Sequence, residues 1–133
     1  MSEGELELGF RTLGQALARL KEALEQPLAN PLAVDGSLQR FEFSIELYWK
    51  LLKRLLWSHG VEAATPRDAF RKAFAAGWLS DETAWLQLLS DRNATSHAYD
   101  EASARLIYDR VKACFPLLEG TVQRLRERFG IVA

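Results

Sequence analysis

The hydrophobic positions of the chain repeat with a helical period almost throughout, and no convincing alternating strand pattern is present. Residues 6–26 predict a first helix with one apolar stripe at spacings of three and four, formed by Phe10, Leu13, Leu17, Leu20 and Leu24. Pro27 ends this helix. Residues 28–36 contain further breakers and predict a loop whose length suggests a crossover rather than a tight hairpin.

A second helix is predicted from about Ser37 to Gly60, and it is the most apolar segment of the chain. Its large apolar residues cover more than one face: Leu38, Phe41, Phe43, Ile45, Leu47, Tyr48, Trp49, Leu51, Leu52, Leu55, Leu56 and Trp57. Such a helix lies at the centre of a bundle or is also buried against another chain. We favour a homo-oligomer, a homodimer or a higher even oligomer.

Three further helices follow from their start signals. Residues 65–68 combine a capping threonine, a proline and an aspartate, and they predict a short helix that stops at Gly77. Residues 80–83 start the next helix, and Asp100 is expected to cap a last helix that reaches about Phe129. The stripe predicted for the last helix is Leu106, Ile107, Val111, Phe115, Leu118, Val122 and Leu125.

These elements predict an all-α fold, a four-helix up-and-down-type bundle with one additional short helix, in a single domain over residues 1–133. A net charge of -1 gives no attraction of the whole protein to nucleic acid or to a membrane, so any basic surface is local. The acidic N-terminus lacks an apolar signal core, and we expect a cytoplasmic protein without a membrane partner.

Metal and cofactor chemistry find little support in the sequence. Because Cys114 is the only cysteine, the chain can form neither an internal disulfide nor a cysteine-based zinc site. His59 and His97 are 38 positions apart, and the carboxylates show no ligand spacing. No glycine-rich phosphate loop follows a strand. We therefore expect no metal and no cofactor.

The segment from Asp91 to Asp100 gathers complementary polar groups where the helical pattern breaks. Arg92 offers a planar, permanently charged group suited to phosphate, and His97 titrates near neutral pH. Five positions separate them, which is about 140° apart on an uninterrupted helix. Their convergence therefore requires a break between them or a site shared across a two-fold axis.

The second helix also carries polar residues, among them Arg40, Glu46 and Lys50. They indicate either a solvated face with a Glu46–Lys50 pair, or residues that line the same cleft as Arg92 and His97. The four tryptophans are expected in the core and in interfaces rather than on a surface that stacks bases.

The pattern Arg-x-x-x-x-His-x-Tyr, here Arg92, His97 and Tyr99, resembles the signature of HEPN domains, specifically the HepT-like branch. Residues 35–50, 65–68 and 91–97 resemble the corresponding blocks of nucleotidyltransferase substrate-binding proteins, and the resemblance covers roughly residues 10–125. It implies a helical bundle that dimerises and acts with a separate small nucleotidyltransferase.

Two functions follow from the resemblance. In the first, the chain is a non-catalytic substrate-binding subunit with a phosphate- or nucleotide-binding cleft around Arg92 and His97. Arg40, Glu46 and Asn93 would then bind substrate.

In the second, the chain is a metal-independent ribonuclease toxin of a toxin–antitoxin pair. His97 would move a proton, Arg92 would stabilise the phosphate, and the nucleotidyltransferase would neutralise the toxin by modifying Tyr99. Asn93 would orient the phosphate or His97. A purely structural oligomerisation bundle is a third class, which the polar segment disfavours.

Each of these residues also has a structural interpretation. Arg92 could cap helix carbonyls or pair with Asp91 or Asp100. His97 could make a structural hydrogen bond, and Tyr99 could be a half-buried aromatic residue with its hydroxyl at the surface.

Overall fold

The fold is seen in a computed structural model, which describes residues 3–96 and 100–131. These residues form five helices: α1 (Glu3–Leu24), α2 (Ala33–Ser58), α3 (Pro66–Ala75), α4 (Glu82–Thr95) and α5 (Glu101–Arg128). Neither described range contains a strand. The predicted all-α bundle with one additional short helix is therefore confirmed.

The four longer helices alternate in direction. Gly9 of α1 packs against Leu51 of α2, whereas the carbonyl oxygen of Arg19 accepts a hydrogen bond from Arg40, so α1 and α2 are antiparallel. Trp85 of α4 contacts Tyr48 of α2 at a ring-centroid distance of 4.9 Å. The contacts of α4 show that it is antiparallel to α2 and also antiparallel to α5.

The crossover predicted after the first helix is wrong, because α1 and α2 are direct neighbours. Residues 25–32 connect them, since α2 begins at Ala33, four positions before the predicted start. Asn30 organises this connection: its side-chain oxygen accepts a hydrogen bond of 2.9 Å from the backbone N–H of Leu32. The turn brings the chain into α2 early enough for Gly36 to be helical.

Helix α2 is the centre of the bundle and contacts each of the other four helices. Phe41, Ile45 and Tyr48 are fully buried. The Tyr48 hydroxyl donates a 2.7 Å hydrogen bond to the carbonyl oxygen of Leu118, and burial raises the pKa of this phenol far above its ordinary range. The apolar circumference of α2 is thus largely explained by packing within one chain.

The predicted stripe of α1 is buried throughout. The stripe of α5 is also buried, except at its first residue: Leu106 is 55% exposed, and that prediction is wrong. Ala104 and Tyr108 are buried together with the predicted Ile107, because positions seven, three and four before Val111 lie on the same helix face. Sequence could not separate adjacent apolar residues at positions 106 and 107.

The helix starts predicted at residues 65, 80–83 and 100 are confirmed by their caps. Thr65 accepts a hydrogen bond from Asp68 N at 3.1 Å, and Asp81 accepts one from Ala84 N at 3.2 Å. Asp100 accepts from Ser103 N at 2.7 Å. Helix α4 ends at Thr95, two positions before His97 in the sequence.

Within the two described ranges, no helix is long and apolar enough to cross a membrane. The same part of the chain has no cluster of three or more His, Cys, Asp or Glu side chains arranged to hold a metal ion.

The cap of α5 leads to a prediction of pH dependence. The backbone N–H and the hydroxyl of Ser103 lower the pKa of Asp100. Its ionised form therefore stabilises the fold above the unfolded pKa of about 3.9, and this contribution disappears as the pH falls through the lower folded pKa. Asp100→Asn keeps an oxygen acceptor but has no charge. We expect the wild type to be more stable than this variant at pH 7.

Urea unfolding of both proteins between pH 7 and pH 2 measures the effect. The stability difference should shrink below about pH 4. A difference that stays constant over the whole range would contradict the assigned role of the carboxylate.

Candidate functional site

A cleft of about 560 Å³ opens on the outward side of α2. It is lined by Ala16 and Arg19 from α1, by Gln39, Arg40, Glu42, Phe43 and Glu46 from α2, and by Arg92 from α4. The lining includes three arginines and two glutamates, so the cleft can hold an anion by charge and by directed hydrogen bonds.

Arg92 crosses from the last turn of α4 to α2. Its Nη2 donates a 3.0 Å hydrogen bond to Oε2 of Glu46, and its Nη1 donates a 3.3 Å bond to Oδ1 of Asn93. The carbonyl end of α4 favours a positive charge at this position. Because a guanidinium has five N–H groups, donors remain for a ligand. The structure thus pairs Arg92 with Glu46 rather than with Asp91 or Asp100.

Glu46 stays ionised at neutral pH. Burial raises the pKa of its carboxyl, but the Trp49 indole, Lys50 and Arg92 together lower it more, so the net pKa lies below the ordinary value. The Lys50 ammonium is 3.3 Å from Oε1 of Glu46. Glu46 therefore makes the predicted pair with Lys50 and also lines the cleft.

Arg40 lines the cleft but is tied to α1. Its Nη1 donates a 2.7 Å hydrogen bond to the carbonyl oxygen of Arg19 and lies 3.9 Å from Oε2 of Glu22. Arg19 could not be predicted from the sequence, because on α1 alone it is one of several exposed polar residues. Only the packing of α1 against α2 brings it to the cleft.

Glu42 is a second residue that the sequence analysis did not place in the site. The Thr95 hydroxyl hydrogen-bonds to its carboxylate and also lies 2.7 Å from the carbonyl oxygen of Arg92. Positions 42 and 46 lie one turn apart on α2 and therefore on the same helix face. This spacing is the sequence signal that could have linked Glu42 to the site. Together, the Glu42–Thr95 and Glu46–Arg92 contacts hold the end of α4 against α2.

An ion pair between the buried carboxylate of Asp91 and the partly exposed guanidinium of Arg110 holds the same end of α4 against α5. Asp91 is only 2% exposed. It accepts two hydrogen bonds from Arg110, at 2.9 Å from Nε and 2.6 Å from Nη2, and one from Gln87 at 3.0 Å. The bonds to Asp91 raise the pKa of Arg110. This pair fixes the last turn of α4 against α5, and no spacing in the sequence indicates it.

The structure brings Arg40, Glu46 and Arg92 together around one cleft. Asn93 is exposed beside the cleft, where it contacts the Arg92 side chain. His97 and Tyr99 lie outside the described residues.

A family model, a curated relative and two solved structures are similar to this chain over most of its length. The family described as nucleotidyltransferase substrate binding protein like matches residues 8–127. A curated relative from Haemophilus influenzae, named probable ribonuclease HepT, is 26% identical over 132 residues, which cover 92% of this chain and 90% of the relative.

Two solved structures share the fold. A protein from Thermus thermophilus superposes with a TM-score of 0.78 at 37% identity, covering 86% of this chain and 98% of the other. The H. influenzae protein HI0074, described as showing the fold of a substrate binding domain of a nucleotidyltransferase, superposes with a TM-score of 0.67. It is 26% identical, and the match covers 92% of this chain and 98% of HI0074.

The unequal burial of Asp91 and Arg110 predicts unequal effects of removing either side chain. Arg110→Ala leaves the Asp91 carboxylate buried with only Gln87 as a partner, and we expect a loss of about 3 kcal/mol in the free energy of unfolding. Asp91→Ala leaves a guanidinium that is 37% exposed and can be hydrated, so we expect a smaller loss of about 1 kcal/mol.

Urea denaturation of the two variants tests this order. Arg105→Ala is the matched control, because its pair with Asp109 is exposed on both sides and contributes little. Equal losses for Arg110→Ala and Asp91→Ala would show that burial of the carboxylate does not control the energetics of the pair.

Proposed function

Because the chain belongs to the nucleotidyltransferase substrate binding protein like family, we propose that it is the substrate-binding and partner subunit of a two-component minimal nucleotidyltransferase. In this proposal the chain has no nucleotidyltransferase activity of its own, and the partner carries the catalytic carboxylates and the metal. The observation that carries the proposal is the Arg92 guanidinium, held by Glu46 over a cleft that Arg19 and Arg40 also line.

The donors in this cleft suit a phosphate group. Glu46 and Asn93 occupy one N–H of each terminal nitrogen of Arg92, which leaves other N–H groups available. Within the described part of the chain, the Arg19 guanidinium has no hydrogen bond or ion pair. The net charge of the chain is -1, so attraction of an anion must come from this local arrangement.

The rim of the cleft suits the rest of a nucleotide. Phe43 is 60% exposed there and offers a ring face to a base, while Gln39 offers an amide that can donate and accept hydrogen bonds. The ligand class that we propose is therefore a phosphate-bearing nucleotide. His97 completes the cleft in this proposal.

We further propose a homodimer or a higher even oligomer acting in the cytoplasm with a small nucleotidyltransferase. Exposed leucines near the starts of α2 and α5, Leu28, Leu32 and Leu106, support an apolar contact between copies at that end of the bundle. The described function of the HI0074 domain supports a nucleotidyltransferase as the partner.

Titration of the protein with adenosine monophosphate tests the cleft. Arg92→Ala should weaken binding by at least about ten-fold, since it removes charge-assisted hydrogen bonds. Arg92→Lys should recover only part of the affinity, because an ammonium keeps the charge but not the planar group. Arg105→Ala on α5 is the control and should bind as the wild type does. Equal affinities for the wild type and Arg92→Ala would refute the cleft.

A ribonuclease is the second candidate function, and the position of Arg92 favours it. Arg92 is the first residue of the pattern that resembles a ribonuclease signature, and it lies in the last turn of α4, which ends at Thr95. The similarity to a probable ribonuclease adds support.

The proposed reaction needs no redox partner. The RNA 2′-oxygen attacks the adjacent phosphorus and the bond to the 5′-oxygen breaks, which leaves a 2′,3′-cyclic phosphate and a 5′-hydroxyl. His97 takes the proton of the 2′-hydroxyl or supplies one to the 5′-oxygen, and Arg92 stabilises the phosphorane charge.

Incubation of the purified protein with single-stranded RNA separates the two candidates. The ribonuclease function predicts cleavage without added metal that is lost in both His97→Ala and Arg92→Ala. Absence of cleavage by the wild type would leave the non-catalytic subunit as the function.

The same RNA cleavage assay, with the partner enzyme and ATP added, tests the proposed modification of Tyr99. The Tyr99 hydroxyl would attack the α-phosphorus of ATP and release pyrophosphate and a proton. The bulky, anionic product would block the cleft. Tyr99→Phe should therefore keep its cleavage activity in the presence of the partner.

A further inference from the structure

The exposed side of α2 continues from the cleft residue Phe43 along Lys50, Lys53, Arg54 and Trp57, and we call this surface the α2 stripe. We propose that a single-stranded nucleic acid, with one phosphate in the cleft, continues along this stripe and stacks a base on Trp57. The strand would then contact the protein beyond the single nucleotide that the cleft holds. This inference rests on the proposed phosphate-binding role of the cleft.

The α2 stripe is one continuous helix face. Residues 43, 50, 54 and 57 recur at helical spacings, and all of them are exposed. Lys50 joins the stripe to the cleft, because its Nζ lies 3.3 Å from Oε1 of the cleft residue Glu46. Lys50 also lines a second depression, of about 760 Å³, together with Lys53, Arg54 and Trp57.

The cations of this surface come from α2. Lys50, Lys53 and Arg54 supply three positive charges within five positions. The Lys53 ammonium lies 5.7 Å from the ring centroid of Trp49, where attraction to the indole holds it. The carboxylates of the depression, Glu5 and Glu62, belong to α1 and to the α2–α3 connection. A strand that follows α2 therefore meets the positive side of the depression.

Trp57 provides the stacking surface at the far end. Its side chain is 64% exposed, whereas Trp78 and Trp85 are buried in the core. Base–aromatic stacking tolerates any sequence and combines well with a basic groove. Positions 46 and 57 are separated by about 16 Å along the helix axis, which suits a few nucleotides of extended strand.

Nucleic acid fits this surface better than a second copy of the chain does. A two-fold contact would set the stripe against itself and bring Lys50, Lys53 and Arg54 close to the same residues of the other copy. Like charges in a desolvated contact repel. A phosphate backbone is complementary in charge to the same residues. The bases of the strand would stack on the large aromatic side chains that lie among these cations.

The test is a length series of single-stranded oligonucleotides on the full-length protein, from adenosine monophosphate to a ten-residue oligoadenylate. Oligodeoxyadenylates of the same lengths lack the 2′-hydroxyl and serve as ligands that cannot be cleaved through it. We expect affinity to rise with length in both series. Trp57→Ala should weaken binding of the longest oligonucleotide by about ten-fold, or about 1.4 kcal/mol, and leave mononucleotide binding unchanged. Trp57→Phe keeps a ring and should retain most of the affinity.

Charge is tested separately by the double variant Lys53→Ala/Arg54→Ala. It should lower the dependence of log affinity on log salt by about 1.4, since each phosphate contact of a single strand contributes about 0.7. The matched control is Arg105→Ala/Lys112→Ala, which removes the same charge from α5 and should leave the slope unchanged.

The outcomes separate this inference from the proposed function. If the mononucleotide binds but affinity does not rise with length, the stripe is not a binding surface and the cleft proposal stands. If nucleotides of every length fail to bind, the proposed function itself falls. If Trp57→Ala dissociates an oligomer in sedimentation without changing oligonucleotide affinity, the surface joins copies of the chain and the inference is overturned.

Discussion

The need to bury α2 on most of its circumference governs this structure. The helix contacts all four others, and residues such as Phe41, Ile45 and Tyr48 have no exposed surface. One side remains open, and α1 and α4 stand on either side of it. Arg19 of α1 and Arg92 of α4 therefore both line the cleft that this open side forms. The cleft is a consequence of how the core is closed.

Two adjacent residues then fix the geometry of α4. Side chains at successive helix positions point about 100° apart, so Asp91 reaches α5 while Arg92 reaches α2. Each makes a charged pair with a partly exposed guanidinium; the carboxylate is buried in the pair of Asp91 and partly exposed in the pair of Arg92. A ligand that binds Arg92 meets a side chain that is already oriented, which lowers the entropy lost on binding. Glu46 achieves this orientation but also offsets part of the positive charge of Arg92.

Local signals were enough to predict much of the fold. The α1 stripe and the caps at Thr65 and Asp100 follow from spacings within a few residues. The contacts of the cleft do not, because Arg19 and Glu42 acquire their neighbours only through packing between helices. The Asp91–Arg110 pair joins positions 19 residues apart, and no short-range pattern marks it. Arg92 was identified by the chemistry of the polar segment at 91–100. The cleft position of Glu46 was suggested by a resemblance, and periodicity alone left the solvated-face alternative open for it.

The Asp91–Arg110 pair also closes a ring in the chain. The stretch of backbone between the two residues is joined at its ends by two partly buried hydrogen bonds to one carboxylate. Much of the loop-closure entropy of this stretch has therefore been lost before any ligand arrives. The last turn of α4 and the first turns of α5 are coupled through it, so they should open and exchange their amide protons as one cooperative unit.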